Sequence, residues 1–383
     1  MSCSRAQSSS PLREALAALR LDLAEIEAFG ARSGHCLRMT LAVALAVMAA
    51  LVLRVDAPWW AAISAFVSLQ VTTPSSIERG ALRIVGTAIG ATIGLLLSPW
   101  LIEDQVAVSL ALFVAGAIAV LGLQVSSHGY AFMLGGVTVA MVLLAALDDP
   151  ASVLEVACNR TAEVMIGTVS AVLVSILLTP SAESPSAHPP APGWTDLFGA
   201  QWPSVRHALR AGLGVMLVPW VWNFLALPNL SQTAITVAAV MAVQAATEED
   251  VENWQKVWVR ATHRILGCLI GGIAGLAVLS LSFESFLPWL AALCAGVWIG
   301  AHVQNSARGI GYVGTQGTVV FIMTLVQGFG PPIDVLVGVE RFAGITGGLL
   351  IVMTVSVLTA TYGQGSGRES GLTRDLPDPI DGR

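Results

Sequence analysis

A string of two arginines and three glycines occurs twice in this chain. Arg79 to Gly94 reads RGALRIVGTAIGATIG, and Arg260 to Gly275 reads RATHRILGCLIGGIAG. The copies share Arg79/Arg260, Arg83/Arg264, Ile84/Ile265, Gly86/Gly267, Ile89/Ile270, Gly90/Gly271 and Gly94/Gly275. Each copy sets two arginines one helical turn apart, then a glycine at every fourth position of an apolar run. Small residues at that spacing line one face of a helix and let a second backbone approach closely, as membrane helices do. A chain that carries the element twice is expected to fold as two related units.

The setting of the repeat is apolar throughout. Of 383 residues, 55% are hydrophobic and 11% charged, against roughly a quarter charged in soluble domains. Mean hydropathy is +0.74. About 20 apolar residues at 1.5 Å each cross a hydrocarbon core of about 30 Å, and twelve runs meet that expectation. They cover 36–54, 57–74, 82–101, 106–124, 129–147 and 160–179, then 206–226, 230–247, 262–282, 287–304, 311–329 and 338–361. The fold class expected is therefore an all-α integral membrane protein of two six-helix repeats. The repeat pairs continue outside the first string: Gly129-Tyr130 with Gly311-Tyr312, Gly135 with Gly317, Arg160 and Gly167 with Arg341 and Gly348, and Gln70 with Gln244. An even helix count per repeat makes the two units parallel, about a pseudo-twofold axis along the membrane normal.

The domain plan follows. Residues 1–35 form an N-terminal segment in which 11–29 has helical periodicity, with Leu12, Leu16, Leu19, Leu23 and Ile26 as its apolar stripe. It is too polar to span and is expected on the cytoplasmic surface or against a neighbouring subunit of a homo-oligomer. Residues 36–179 are the first repeat, 180–205 a Pro-rich cytoplasmic linker, 206–361 the second repeat and 362–383 a disordered tail. Most arginines, from Arg5 to Arg38 and at Arg79, Arg83, Arg206, Arg210, Arg260, Arg264, Arg308 and the tail, fall on one side of this topology. Arg54, Arg160 and Arg341 fall on the other, among Asp56, Glu103, Asp104, Asp148, Asp149 and Glu155. The positive-inside rule makes both termini cytoplasmic.

Each polar group in such a chain has a plain role and a functional one. The glycines pack helices, or they join the two repeated elements at the molecular centre beside a pathway. Arg79, Arg83, Arg260 and Arg264 anchor on lipid phosphates, or form a cytoplasmic funnel for organic anions. Arg160 and Arg341 pair with Glu163 and Glu340, or bind carboxylate along the path, since charge within a bilayer is costly and usually functional. Gln70 and Gln244 hydrogen-bond between helices or line the passage. Thr138 and Tyr130, and Thr315, Gln316 and Thr318, make polar stripes on the fifth and eleventh spans. Trp59, Trp60, Trp100, Trp220, Trp222 and Trp289 are expected as interface anchors. Cys3, Cys36, Cys158, Cys268 and Cys294 show no ligand spacing and are expected as buried thiols. There is no phosphate-binding loop, no metal-ligand pattern and no nucleophile–base arrangement, so no enzyme activity, cofactor or metal is expected. Glu163 is the one candidate for proton coupling.

The block from Trp60 to Gly94, WAAISAFVSLQVTTPSSIERGALRIVGTAIGATIG, resembles the fusaric acid resistance and aromatic acid exporter family. The features are the Trp opening the second span, Gln70 before a Thr/Pro segment, and Arg79…Arg83-x-x-Gly86-Thr87-x-x-Gly90. The resemblance implies bacterial inner-membrane efflux of aromatic or other weak organic acids, with a periplasmic membrane-fusion adaptor as partner. It also implies a distant relation to plant malate channels, whose subunits carry one six-helix unit. The larger exporters have a sizeable cytoplasmic domain after each half, where this chain has a short linker and a short tail.

The expected function is export of organic, aromatic carboxylate anions by membrane potential or proton gradient. The substrate-binding set is Arg83, Arg264, Gln70, Gln244, Arg160, Arg341, Arg79, Arg260, Tyr130 and Tyr312. Partners are small organic anions and membrane lipid, and nothing points to nucleic acid. A passive anion channel and a non-transporting scaffold are the competing readings; bilayer currents separate the first from a carrier, and the lack of a polar pathway would favour the second.

Overall fold

The computed structural model describes residues 11–26, 29–179, 193–195, 197–199, 201–225, 230–242, 250–281, 283–328, 343–355 and 358. Gln244, Arg341, Glu340 and Cys3, the tail and most of the linker lie outside them. The described residues are helical without strands: α1 Pro11–Ala24, α2 Ala31–Val52, α3 Pro58–Ser68, α4 Thr73–Leu101, α5 Gln105–Val125, α6 Gly129–Asp148, α7 Val153–Leu178, α8 Trp202–Met216, α9 Val218–Leu225, α10 Leu230–Met241, α11 Asp250–Leu279, α12 Phe286–Gln304 and α13 Gly311–Leu325, then α14 Ala343–Val355. Seven of these helices are long and apolar enough to cross a membrane: α2, α4, α5, α6, α7, α11 and α12. The described residues are those of a multi-pass membrane protein built of helices.

The expected second span is shorter than its apolar run. α3 has 11 residues, about 16 Å at 1.5 Å each and about half the hydrocarbon core. It stops at Ser68 because Leu69 turns to an extended conformation. The chain restarts as α4 at Thr73, where Thr72 caps the helix through Ser75 N–H and Pro74 occupies the first turn, a position that suits proline. α4 accordingly begins nine residues before the expected 82 and runs for 29. The counterpart in the second half is built alike: α10 has 12 residues and α11 has 30. Pro219, which lacks the N–H for an interior bond, lies at the junction of α8 and α9 in the expected seventh span.

The glycines of the duplicated string do pack helices, but within each half. α4 lies on α6, and a Cβ at Gly86 or Gly90 would strike the backbone of Ala131 or Gly135. α11 lies on α13, and a Cβ at Gly267 or Gly271 would meet Val313 or Gly317. The expectation that these two elements meet at the molecular centre is corrected: α4 and α11 do not pack on each other. The halves instead meet through α5 with α8, where Gly116 faces Gly212 and Val215, and through α2 with α12. The latter seam is apolar, with Met39, Val43 and Val47 in one core with Trp289, Leu293 and Val297. α6 with α10, α3 with α13, and α5 with α9 and α10 add to the contact.

α1 docks on this chain's own α11 and α12. Its buried face is Ala15, Leu19 and Asp22, while Leu12, Leu16 and Leu23 are exposed. Leu19 joins Leu266, Val303, Ile310 and Val313. The carboxylate of Asp22 is buried because it receives Arg32 at 2.8 Å and faces Arg308 at 3.5 Å. Arg308 also donates twice to Glu25, and Arg32 to the carbonyl of His302. The stripe read from leucines alone shares only Leu19 with this buried trio, because an ion pair can bury an aspartate.

Two other expectations are corrected. Trp289 is fully buried and donates to the carbonyl of Leu325 at 2.9 Å, so it is a core residue; Trp100, at 85% exposure, fits the lipid interface. Cys158 is exposed, whereas Cys36 and Cys268 are buried.

Candidate functional site: a pair of buried arginines

α3, α4, α6 and α7 bring Trp60, Ser64, Arg83, Thr87, Tyr130 and Arg160 into one region of the first half. Arg79 and Arg83, a turn apart on α4, clasp one tyrosine at the start of α6. The Arg79 guanidinium lies 4.2 Å from the Tyr130 ring centroid, and Arg83 Nη1 donates to the Tyr130 hydroxyl at 2.7 Å. Arg79 also donates through Nε to the carbonyl of Val67 at 3.0 Å. That carbonyl belongs to the last turn of α3, where helix C-termini leave acceptors unpaired and favour a cation.

The second half repeats the clasp. Arg260 sits 4.0 Å over the Tyr312 ring and donates to the carbonyl of Ala239 in the last turns of α10, while Arg264 donates to the Tyr312 hydroxyl at 3.3 Å. Arg79 and Arg260 are thus held by a ring and a helix end. Pairing Val67 with Ala239 aligns Gln70 with Ala242, two residues before Gln244.

Gln70 lies in the break between α3 and α4, outside any helix. Its amide donates to the carbonyls of Val67 and Leu69, and its N–H bonds to Ser76 Oγ at 2.8 Å. Its bonds are local and hold the break, in place of the expected contact between helices. The threonines of the expected stripes turn back onto their own helices: Thr138 donates to Leu134, Thr315 to Gly311 and Thr318 to Gly314, a common way for a helix to satisfy a hydroxyl.

Arg160 is the least satisfied of the described arginines. It is 4% exposed, as is Arg83. Its guanidinium stacks 3.7 Å from the Trp60 ring centroid, so Trp60 is not a lipid anchor. Its Nε and Nη1 have no hydrogen-bond partner, nor does Nε of Arg83. Arg160 lies within electrostatic range of both Arg83 and Glu163. The expected Arg160–Glu163 bond is absent: Glu163 Oε1 instead accepts from the N–H of Ala57 at 3.0 Å, at the start of α3. Ser64 Oγ and Thr87 Oγ1 are also buried without partners. The region therefore holds two buried guanidiniums, unpartnered N–H donors and two free hydroxyls, with Trp60 stacked on Arg160 and Tyr130 on Arg79. Ser64 and Thr87 were missed from sequence. Their signal was position: Thr87 lies one turn beyond Arg83, and Ser64 one turn beyond Trp60. Among the described residues no group of three His, Cys, Asp or Glu gathers as a metal site.

Comparison with known proteins places this region in context. Residues 32–196 match the fusaric acid resistance protein family. Over 156 residues, 37% of this chain, it is 31% identical to a protein of Edwardsiella ictaluri named p-hydroxybenzoic acid efflux pump subunit AaeB. Over 158 residues, 39% of the chain, it is 29% identical to the uncharacterized transporter YdhK of Escherichia coli K12. The matches cover 24% and 23% of those relatives, so the chain spans about a quarter of their length. No solved structure matches it.

Proposed function

We propose that this protein exports organic anions, aromatic carboxylates among them, across a bacterial inner membrane. In this reading the chain is two parallel six-helix repeats about a pseudo-twofold axis along the membrane normal, with both termini cytoplasmic. The observation that carries the function is the Arg83–Arg160 pair: two guanidiniums, each 4% exposed, within electrostatic range of each other and bonded to no carboxylate. A buried charge without a partner is costly, and each unmade buried bond costs about 1–3 kcal/mol. A ligand that supplies negative charge and planar acceptors offsets both. A carboxylate does so, since its two oxygens suit guanidinium donors. The Trp60 and Tyr130 rings, stacked on Arg160 and Arg79, put aromatic surface beside these cations. The match to the exporter family over the same residues supports the reading.

In the cycle that follows, Arg83 receives the carboxylate from the cytoplasmic side and Arg160 takes it towards the periplasm. Moving one negative charge outwards gains about 2.3 kcal/mol per 100 mV, so the membrane potential can drive export without a proton relay. Glu163, tied to the α3 N-terminus, stays the candidate should proton flux accompany it. A periplasmic adaptor and lipid contacts belong to the same proposal.

The test is efflux of 4-hydroxybenzoate from loaded proteoliposomes. Arg83→Gln and Arg160→Gln are each expected to abolish it while the purified variants keep their melting temperature. Unchanged efflux in both would reject the site. A large anion current in a planar bilayer would reassign the protein as a channel.

A further inference from the structure

The two clasps are alike in frame and unlike in satisfaction. Arg264 makes three hydrogen bonds: Nη1 to the Tyr312 hydroxyl and to Gln316 Oε1 at 2.6 Å, and Nη2 to Thr236 Oγ1 at 3.0 Å. Arg83 makes one, to Tyr130. The difference comes from two substitutions within the repeat. Tyr130 and Gly135 correspond to Tyr312 and Gly317, so Gln316 stands where the first half has Leu134. Gly167 abuts Ala61 and Ser64 as Gly348 abuts Thr233 and Thr236, so Thr236 stands where the first half has Ser64. Ser64 Oγ is unpartnered, whereas Thr236 holds its arginine. Leu134 has no acceptor to offer.

We infer that only the first half binds the transported anion. In the second half the Gln316 side chain occupies the acceptor position that the carboxylate takes beside Arg83, so that copy is closed by its own chain. The inference rests on the carboxylate reading of Arg83 above and adds its stoichiometry. An amide oxygen at 2.6 Å is a neutral, covalently tethered competitor; an incoming anion must displace it and leave the Gln316 amide unpaired in a buried site, which is unfavourable. Beside Arg83 the corresponding residue is Leu134, so no polar side chain from that position competes for its donors. A chain of two homologous halves would then carry one anion at a time, with the second half as scaffold.

The experiment is equilibrium dialysis of radiolabelled 4-hydroxybenzoate against the full chain in nanodiscs. The wild type is expected to bind one per chain. Arg83→Gln removes one charge-assisted contact and is expected to weaken binding at least about tenfold. Arg264→Gln, if folded, keeps both affinity and stoichiometry. Gln316→Leu restores the first half's residue and is expected to raise the stoichiometry to two; it needs no loss of a charged group, so it tests the inference even where Arg264→Gln fails to fold. Two anions per wild-type chain, loss of affinity in a folded Arg264→Gln, or a stoichiometry of one in Gln316→Leu would each overturn the closed second copy while leaving the Arg83 reading intact. No binding to the wild type, or binding untouched by Arg83→Gln, would reject the carboxylate reading itself.

Discussion

Arg160 stacks on Trp60 at 3.7 Å and leaves Glu163, one turn further along α7, bonded elsewhere. A cation–π contact orients a guanidinium without neutralising it, which keeps the charge available to a ligand. Trp60→Phe is expected to preserve transport, because phenylalanine retains a face for the cation. Trp60→Leu removes that face, worth about 0.5–2 kcal/mol, and should raise the apparent KM for 4-hydroxybenzoate about twofold to thirtyfold. Concentration-dependent efflux from proteoliposomes reads this directly, and equal KM values for the two variants would argue that the stacking has no bearing on the anion.

Gly90 and Gly271 are contact points where one backbone runs against another, on Gly135 and Gly317. Alanine at either position must push α4 from α6, or α11 from α13. Overpacking of that kind costs about 1–3 kcal/mol, so both variants should melt earlier in detergent. Gly34 is the control, since a Cβ there meets nothing within 4 Å. Gly34→Ala should be neutral or slightly stabilising, by up to about 1 kcal/mol, through helix propensity.

The N-terminal helix is held by Asp22, whose side chain is 1% exposed, between Arg32 and Arg308 at 33% and 31%. Asp22→Asn keeps the shape and loses the charge. Hydrogen bonds to charged groups contribute about 1.5–3 kcal/mol, with solvent at the arginines favouring the lower end. Faster amide exchange across 11–24 is expected. Glu25 is 57% exposed, so Glu25→Gln should change exchange little, in line with the small contribution of surface ion pairs. Equal exchange in the two variants would contradict the latch.

Gln70 distinguishes structure from transport. Its amide bonds close the break after α3. Gln70→Ala is expected to cost about 1 kcal/mol of stability and to leave the apparent KM for the anion unchanged. A raised KM with an unchanged melting temperature would return Gln70 to the substrate path.

Much of this was legible from residue order. The apolar runs announced membrane helices, and the matching arginines, tyrosines and glycines marked a repeated element; that each tyrosine is clasped by two arginines came only from the structure. The resemblance at Trp60–Gly94 pointed to the family that residues 32–196 match. What misled was treating a run's length as a helix's length. The run from 57 to 74 is long enough to span, yet the Thr-Thr-Pro segment and Leu69 break it, and Gln70 moves from a helix to a bend. The leucine stripe of 11–29 likewise gave way to a face centred on Asp22.

By itself the sequence determined which groups this protein places in an apolar environment, since twelve apolar runs leave few positions for charge, and the repeat marks which arginines, tyrosines and glycines correspond. Only the tertiary structure decided how each charge is met. Arg83 and Arg264 are equivalent in the repeat and differ because side chains on neighbouring helices, Leu134 and Ser64 in one half and Gln316 and Thr236 in the other, determine how many hydrogen bonds a buried guanidinium can make. That is a matter of atoms within about 3 Å across helices, and no periodicity along one chain records it.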